Sequence, residues 1–132
     1  MAGRLESKTR VNPPLVADER TMLLTWLAFH RETLRTKCDG LSDEQLRRRA
    51  VPPSTMSLLG MVRHYAEVEH YWWREIVGQQ PDLPALFGDE ANPDGDFDLV
   101  DTADVAEAFV TWDAEVAYAD SVLGTLDLDQ VV

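Results

Sequence analysis

The chain has one cysteine, Cys38, in 132 residues, so no intramolecular disulfide and no cysteine-rich zinc site can be built from it. A reducing, cytoplasmic setting fits that scarcity, and Cys38 itself reads as an inert thiol at a helix end. Long apolar runs are missing too. Nothing approaches the roughly 20 residues that span a bilayer, and the N-terminus has no signal-peptide core, so a soluble protein without a membrane partner is expected. Positive charge is scarce: 12 Lys and Arg stand against 24 Asp and Glu, a net charge of −12. A nucleic-acid backbone would be repelled, which removes nucleic acid as a partner. Gly-rich phosphate loops, a Gly-x-Ser-x-Gly elbow and a Cys-x-x-Cys pair are all absent, and the reaction classes they mark go with them.

What is present is ordinary globular material, 45% apolar and 27% charged, in a length suited to one compact domain. No stretch alternates apolar and polar residues as a strand would. Residues 1–14 form a loose lead-in that closes on Asn12-Pro13-Pro14, and residues 15–132 form the domain. Leu23, Trp26, Leu27, His30, Leu34 and Cys38 recur at spacings of three and four before Gly40, which predicts a helix over about 15–38 with a left-handed cap. Ser42 and Gln45 can form a capping box, with Leu41 stapled onto Leu46, for a short helix at 43–48. Ser54 or Thr55, after Pro52-Pro53, opens a helix over 55–77 that ends at Gly78. Residues 79–101 hold four more turn-forming glycines and prolines beside Pro81 together with six aspartates, and read as a long irregular crossover, acidic from 82 to 101. Asp101 or Thr102 then caps a helix over 102–123 with Val105, Phe109, Trp112, Val116, Ala119 and Leu123 on its inner face.

Three long amphipathic helices and one crossover predict an all-α antiparallel bundle. On a wheel the apolar centre of the helix at 55–77 falls among Leu58, Val62, Tyr65, Trp72 and Ile76. His64 and His70 lie at its two edges by about the same angle, so periodicity does not choose between them. His64 shares its edge with Ser57, Gly60, Glu67, Tyr71 and Glu75, groups that can orient a ligand histidine or contact a substrate; it is equally a half-exposed histidine on a solvated rim. Glu69 falls near the middle of the apolar stripe, where a carboxylate must be paired, protonated or metal-bound; Arg20, Arg31 or Arg35 would serve as the partner. His30 lies on the inner stripe of the first helix and reads as a core histidine or a contributor to the same cavity. Trp26, Trp72, Trp73 and Trp112 read as core and groove walls. Asp94-x-Asp96-x-Asp98 imitates a calcium loop but has Leu99 and Val105 where glycine and glutamate are required, and is rejected.

Trp26-Leu-Ala-Phe-His-Arg31, Gly40-Leu-Ser-Asp-Glu-Gln-Leu46, and Ser57-Leu-Leu-Gly-Met-Val-Arg-His64 followed by Val68-Glu-His-Tyr-Trp72 resemble the DinB-like superfamily, in its actinobacterial mini-circle branch. The likeness covers about residues 15–125. It implies a four-helix bundle, often a homodimer, with a divalent metal, zinc or nickel, in a groove between helices, and is similar in bundle and metal site to mycothiol-dependent maleylpyruvate isomerase. On that resemblance His64 is a metal ligand, with the remaining ligands supplied by a fourth helix as a Glu-x-x-x-His or His-x-x-x-His pair. The chain reaches Val132 without such a pair, so the fourth helix is expected to be missing or incomplete here. The implied activity is that of a transferase or isomerase in which a metal-activated thiolate, with mycothiol as co-substrate, attacks an electrophilic small molecule. The alternative is a non-catalytic dimerisation or interaction module with a vestigial or purely structural metal.

Overall fold

A computed structural model describes residues 10–132, so the first nine residues of the predicted lead-in lie outside the described residues. The described residues are helical or irregular, with no strand among them, as the missing alternation predicts. They fall into two compact units divided between Ser42 and Asp43.

The first unit contains α1, Glu19–Cys38. Asp18 takes the extended backbone of an N-cap and its carboxylate accepts from the Thr21 amide, which moves the start from the predicted 15 to 19. Gly40 has φ +73°, the left-handed residue that the sequence places after the helix. Leu34 and Cys38 are buried. Leu23, Trp26 and His30 are exposed, so the upper part of the predicted inner stripe of α1 is not covered. Arg10 lies along the helix, donating to the Thr33 hydroxyl at 3.2 Å and stacking over Phe29.

The second unit begins with α2, Asp43–Arg47, whose Leu46 is fully buried. α3 runs over Leu58–Glu69, capped by Ser57 rather than the predicted Ser54 or Thr55. It continues as a π-helical segment, His70–Val77, in which the Gly78 amide reaches back five residues to the Trp73 carbonyl. The predicted crossover is not wholly irregular: α4, Gly95–Asp98, and a 3₁₀ turn, Val100–Thr102, form within it. α5 spans Val105–Leu123 behind Asp104, which caps the Glu107 amide at 3.0 Å. The predicted start at 102 is displaced because residues 100–102 form that separate turn.

α3 packs against α5 on one side and α4 on the other. The core between them is Leu59, Val62, Ala66, Val100, Ala108, Phe109, Trp112 and Ala119, with Tyr65 edge-on to the Trp112 ring at 5.7 Å. Of the predicted α5 stripe, Val105, Phe109, Trp112 and Ala119 are buried; Val116 and Leu123 are partly so. The α3 stripe is rotated from its prediction. Leu59, Val62 and Ala66 form its centre, and Trp72 is 52% exposed. Each π turn holds more residues than an α turn, so positions after His70 fall off the face extrapolated at 100° per residue.

Candidate functional site

The two edges of α3 that the wheel cannot tell apart are told apart by what packs on them. His70 meets α5. It is buried, with Nδ1 3.5 Å from Glu115 Oε1 and no hydrogen bond at either ring nitrogen. Arg74 Nε donates to Glu115 Oε2 at 2.7 Å, and its guanidinium stacks over Tyr118 at 4.1 Å. His70 is therefore a core group beside an ion pair.

His64 meets α4. Its Nδ1 lies 2.7 Å from Asp96 Oδ2, and Phe97 lies against its ring with centroids 4.9 Å apart. A carboxylate oxygen can only accept, so Nδ1 carries a hydrogen, and in the neutral form of the ring the lone pair is on Nε2. The imidazole side chain is 42% exposed while Asp96 is 10% exposed. The pair thus has a buried end that orients and an open end that can react. Its second carboxylate oxygen, Oδ1, accepts from the Phe97 amide at 3.0 Å, which fixes the plane of the carboxylate.

Asp96 is held there by the backbone around it. Arg63, next to His64 on α3, donates from Nε to the Asp96 carbonyl and from Nη2 to the Gly95 carbonyl, both at 3.0 Å. Its guanidinium also lies 4.2 Å from the centre of the Phe87 ring. Burial pushes the Arg63 guanidinium below its ordinary value, against the opposing carboxylates of Asp96, Glu107 and Glu67. Arg47 donates to the carbonyls of Val100 and Ala103, and Arg49 to those of Phe97 and Asp98 and to the Asp101 carboxylate. Three arginines therefore bind the carbonyls of Gly95, Asp96, Phe97, Asp98, Val100 and Ala103, of which Gly95 and Val100 also accept an amide from within the segment. Gly60 lets that segment approach: a Cβ on it would stand 2.8 Å from Phe97 Cδ1.

The other predicted site residues scatter. Glu67 accepts the backbone amide of Phe87 and so holds the loop. Tyr71 is exposed and edge-on to Trp72, Glu75 is half-buried, and Glu69 is buried at 6% exposure. His30, expected on an inner face, is exposed on α1 and stacked on Trp26. Of the four tryptophans taken as core and groove walls, Trp112 is fully buried whereas Trp26 is 44% exposed. Asp96 and Arg63 are the residues that the sequence reading missed. The signals were Gly60 inside the predicted helix at 55–77, which marks a close approach, and Phe97 set between two aspartates, an apolar anchor in an acidic loop.

A metal site needs about three protein donors with a position left open. His64 has the geometry of one such donor, since ligand histidines commonly give their other N–H to a carboxylate. Among the described residues, however, no three His, Cys, Asp or Glu side chains are gathered so as to hold a metal ion. These residues fit one ligand and not a complete site. No helix of the described residues is long and apolar enough to cross a membrane.

No curated protein and no solved structure matches the chain. A family model does, over residues 22–132, a span that takes in most of α1 and all of the His64–Asp96 pair and the arginines that brace it. With that match over most of its length, and with an all-α fold of the expected kind, the chain belongs to the mycothiol-S-transferase family of DinB-like proteins.

Proposed function

We propose that the protein transfers a low-molecular-weight thiol, mycothiol or a close analogue, to an electrophilic small molecule, and that His64 carries the reaction. Family membership supports the thiol. The observation that carries the residue assignment is the 2.7 Å contact between His64 Nδ1 and a buried Asp96. With Nδ1–H committed to the carboxylate, Nε2 is the basic nitrogen and stands on the open side. It takes the proton of the thiol as sulfur forms the new carbon–sulfur bond and the bond from that carbon to the departing group breaks; the imidazolium then passes the proton to a basic departing group or, where a halide leaves, to solvent. Asp96 keeps the ring in one tautomer and stabilises the imidazolium while it lasts.

The zinc or nickel that the resemblance implies would bind at the same nitrogen. The described residues supply one donor for it. Metal analysis of untagged protein decides whether Nε2 faces a metal or a proton, with stoichiometric metal pointing to the former. The function itself is tested by His64→Ala. Thiol transfer to an electrophile, such as a halonitroarene, should fall about 100-fold or more with the fold intact. Unchanged transfer in that variant, or none in the parent protein with or without added zinc or nickel, would reject the proposal.

Tyr71 and Trp72, exposed side by side at 47% and 52%, favour one further reading, a face that binds a second copy of the chain. Under a purely non-catalytic version of it, His64→Ala leaves assembly and cellular phenotype unchanged.

A further inference from the structure

We infer that Arg63 is a positioning residue for this chemistry, acting on His64 through Asp96; the inference rests on the His64 reading above. Arg63 and His64 are consecutive on α3, and both address the same residue of α4 from different sides. The guanidinium grips the backbone of Asp96 through its own carbonyl and that of Gly95, at 3.0 Å each, while the imidazole meets the Asp96 carboxylate at 2.7 Å. An aspartate carboxylate is two rotatable bonds from its backbone, so fixing the backbone and adding the Phe97 amide contact leaves it few useful places. Arginine is suited to this and lysine is not. Two donors in a rigid plane span two consecutive carbonyls, and the face of that plane is free to stack on Phe87, as it does at 4.2 Å.

A neighbouring structural fact shows why a clamp is needed. α4 has four residues and a cap residue without a side-chain hydrogen bond, so it has little cohesion of its own. Phe97 would be driven away by any side chain at position 60, and the approach leaves no room to correct a misplaced loop. Arg63 supplies the fixed reference from within α3, one residue from the imidazole that uses it. Arg47 and Arg49 reach the same segment but bind the carbonyls of residues 97, 98, 100 and 103, downstream of the aspartate.

The test reads the tautomer of His64 directly, by long-range nitrogen–proton NMR of the three imidazoles in the full chain, with His64→Ala identifying the signal. In the parent protein the neutral ring carries its hydrogen on Nδ1. In Arg63→Lys, and to a smaller extent in Phe87→Leu, the ring moves toward the Nε2–H form that an unheld histidine prefers, and thiol transfer falls about tenfold. Near-ultraviolet circular dichroism checks that each variant is folded. The double variant Arg63→Lys/Asp96→Asn should be no slower than Asp96→Asn alone, because the two residues act in series. A folded variant that keeps the parent tautomer overturns the inference, as do losses that multiply in the double variant. Should Arg63→Lys fail to fold, Phe87→Leu decides by the same reading, since it removes the stacking partner without touching α3. The tautomer is read without turnover, so it separates failure of this inference from failure of the proposed function: a tautomer that follows Arg63 in a protein with no transfer activity would retain the first and reject the second.

Discussion

His64 and His70 show how little a side chain's type says about its use. The two imidazoles sit six positions apart on one helix, at matching angles from its apolar centre, and differ only in what is packed against them. His70 is 8% exposed and faces an ion pair; His64 is held by one nitrogen and open at the other. Residue periodicity marked both as rim positions, and the resemblance alone picked His64. Periodicity did not indicate Asp96, because its partner is 32 residues away and a tertiary contact of that range leaves no periodic trace; the apolar Phe97 beside it was the one local signal. At this scale the expected outcome of Asp96→Asn is a loss of thiol transfer of about 10- to 100-fold in a protein that stays folded, though melting lower, because asparagine has one acceptor for the two donors His64 Nδ1 and the Phe97 amide. Asparagine can still accept from Nδ1–H but brings no charge to the imidazolium. Steady-state rates with the thiol varied would check it, and a rate equal to the parent's would show that Asp96 is only structural.

Helices are where the sequence was most readable, and their ends where it was least. The order of α1, α2, α3 and α5 follows from spacing and punctuation, since apolar recurrence at three and four residues, Gly40 and the Pro52-Pro53 break are local signals. The N-termini at 58 and 105 were misplaced by three residues each because several Ser, Thr and Asp residues compete as caps, and the nearest to the core wins. α4 and the 3₁₀ turn were unreadable: they are four and three residues long, and Arg47, Arg49 and Arg63 from outside bind most of the carbonyls at 95–103, so little propensity of their own announces them. The π segment escaped for a different reason, as a wheel assumes the geometry that it is used to test. Two outcomes belong to elements. Trp112→Ala should cost about 3–5 kcal/mol in urea unfolding, as expected for a fully buried indole at the α3–α5 contact; a loss below about 1 kcal/mol would contradict that packing. At the start of α1, hydrogen bonds to the Thr21 hydroxyl and then the Thr21 amide hold the Asp18 carboxyl below its ordinary 3.8. A carboxyl lowered in the folded state stabilises fully above its unfolded value, and that contribution is lost as pH falls through the folded value. Asp18→Ala should therefore melt lower than the parent at neutral pH, and the gap should close below 3.8. A gap of constant size across that range would show that the carboxylate does not cap the helix.

For the whole molecule, charge and family membership point in compatible directions. A net charge of −12 disfavours nucleic acid, and the family suggests a small-molecule thiol as substrate. The all-α class and the DinB-like assignment were legible in motifs spread along the chain, and the family match over residues 22–132 agrees with them. Of the candidate site, His64 was named from the resemblance, whereas the loop packed on it was not legible, because that loop is held by long-range arginine–carbonyl contacts rather than by a motif. The most direct measurement compares thiol transfer to a small electrophile by the parent protein and by folded His64→Ala under the same conditions, with and without added zinc. If His64 carries the reaction, the variant is slower by about 100-fold or more in both; equal rates would contradict it.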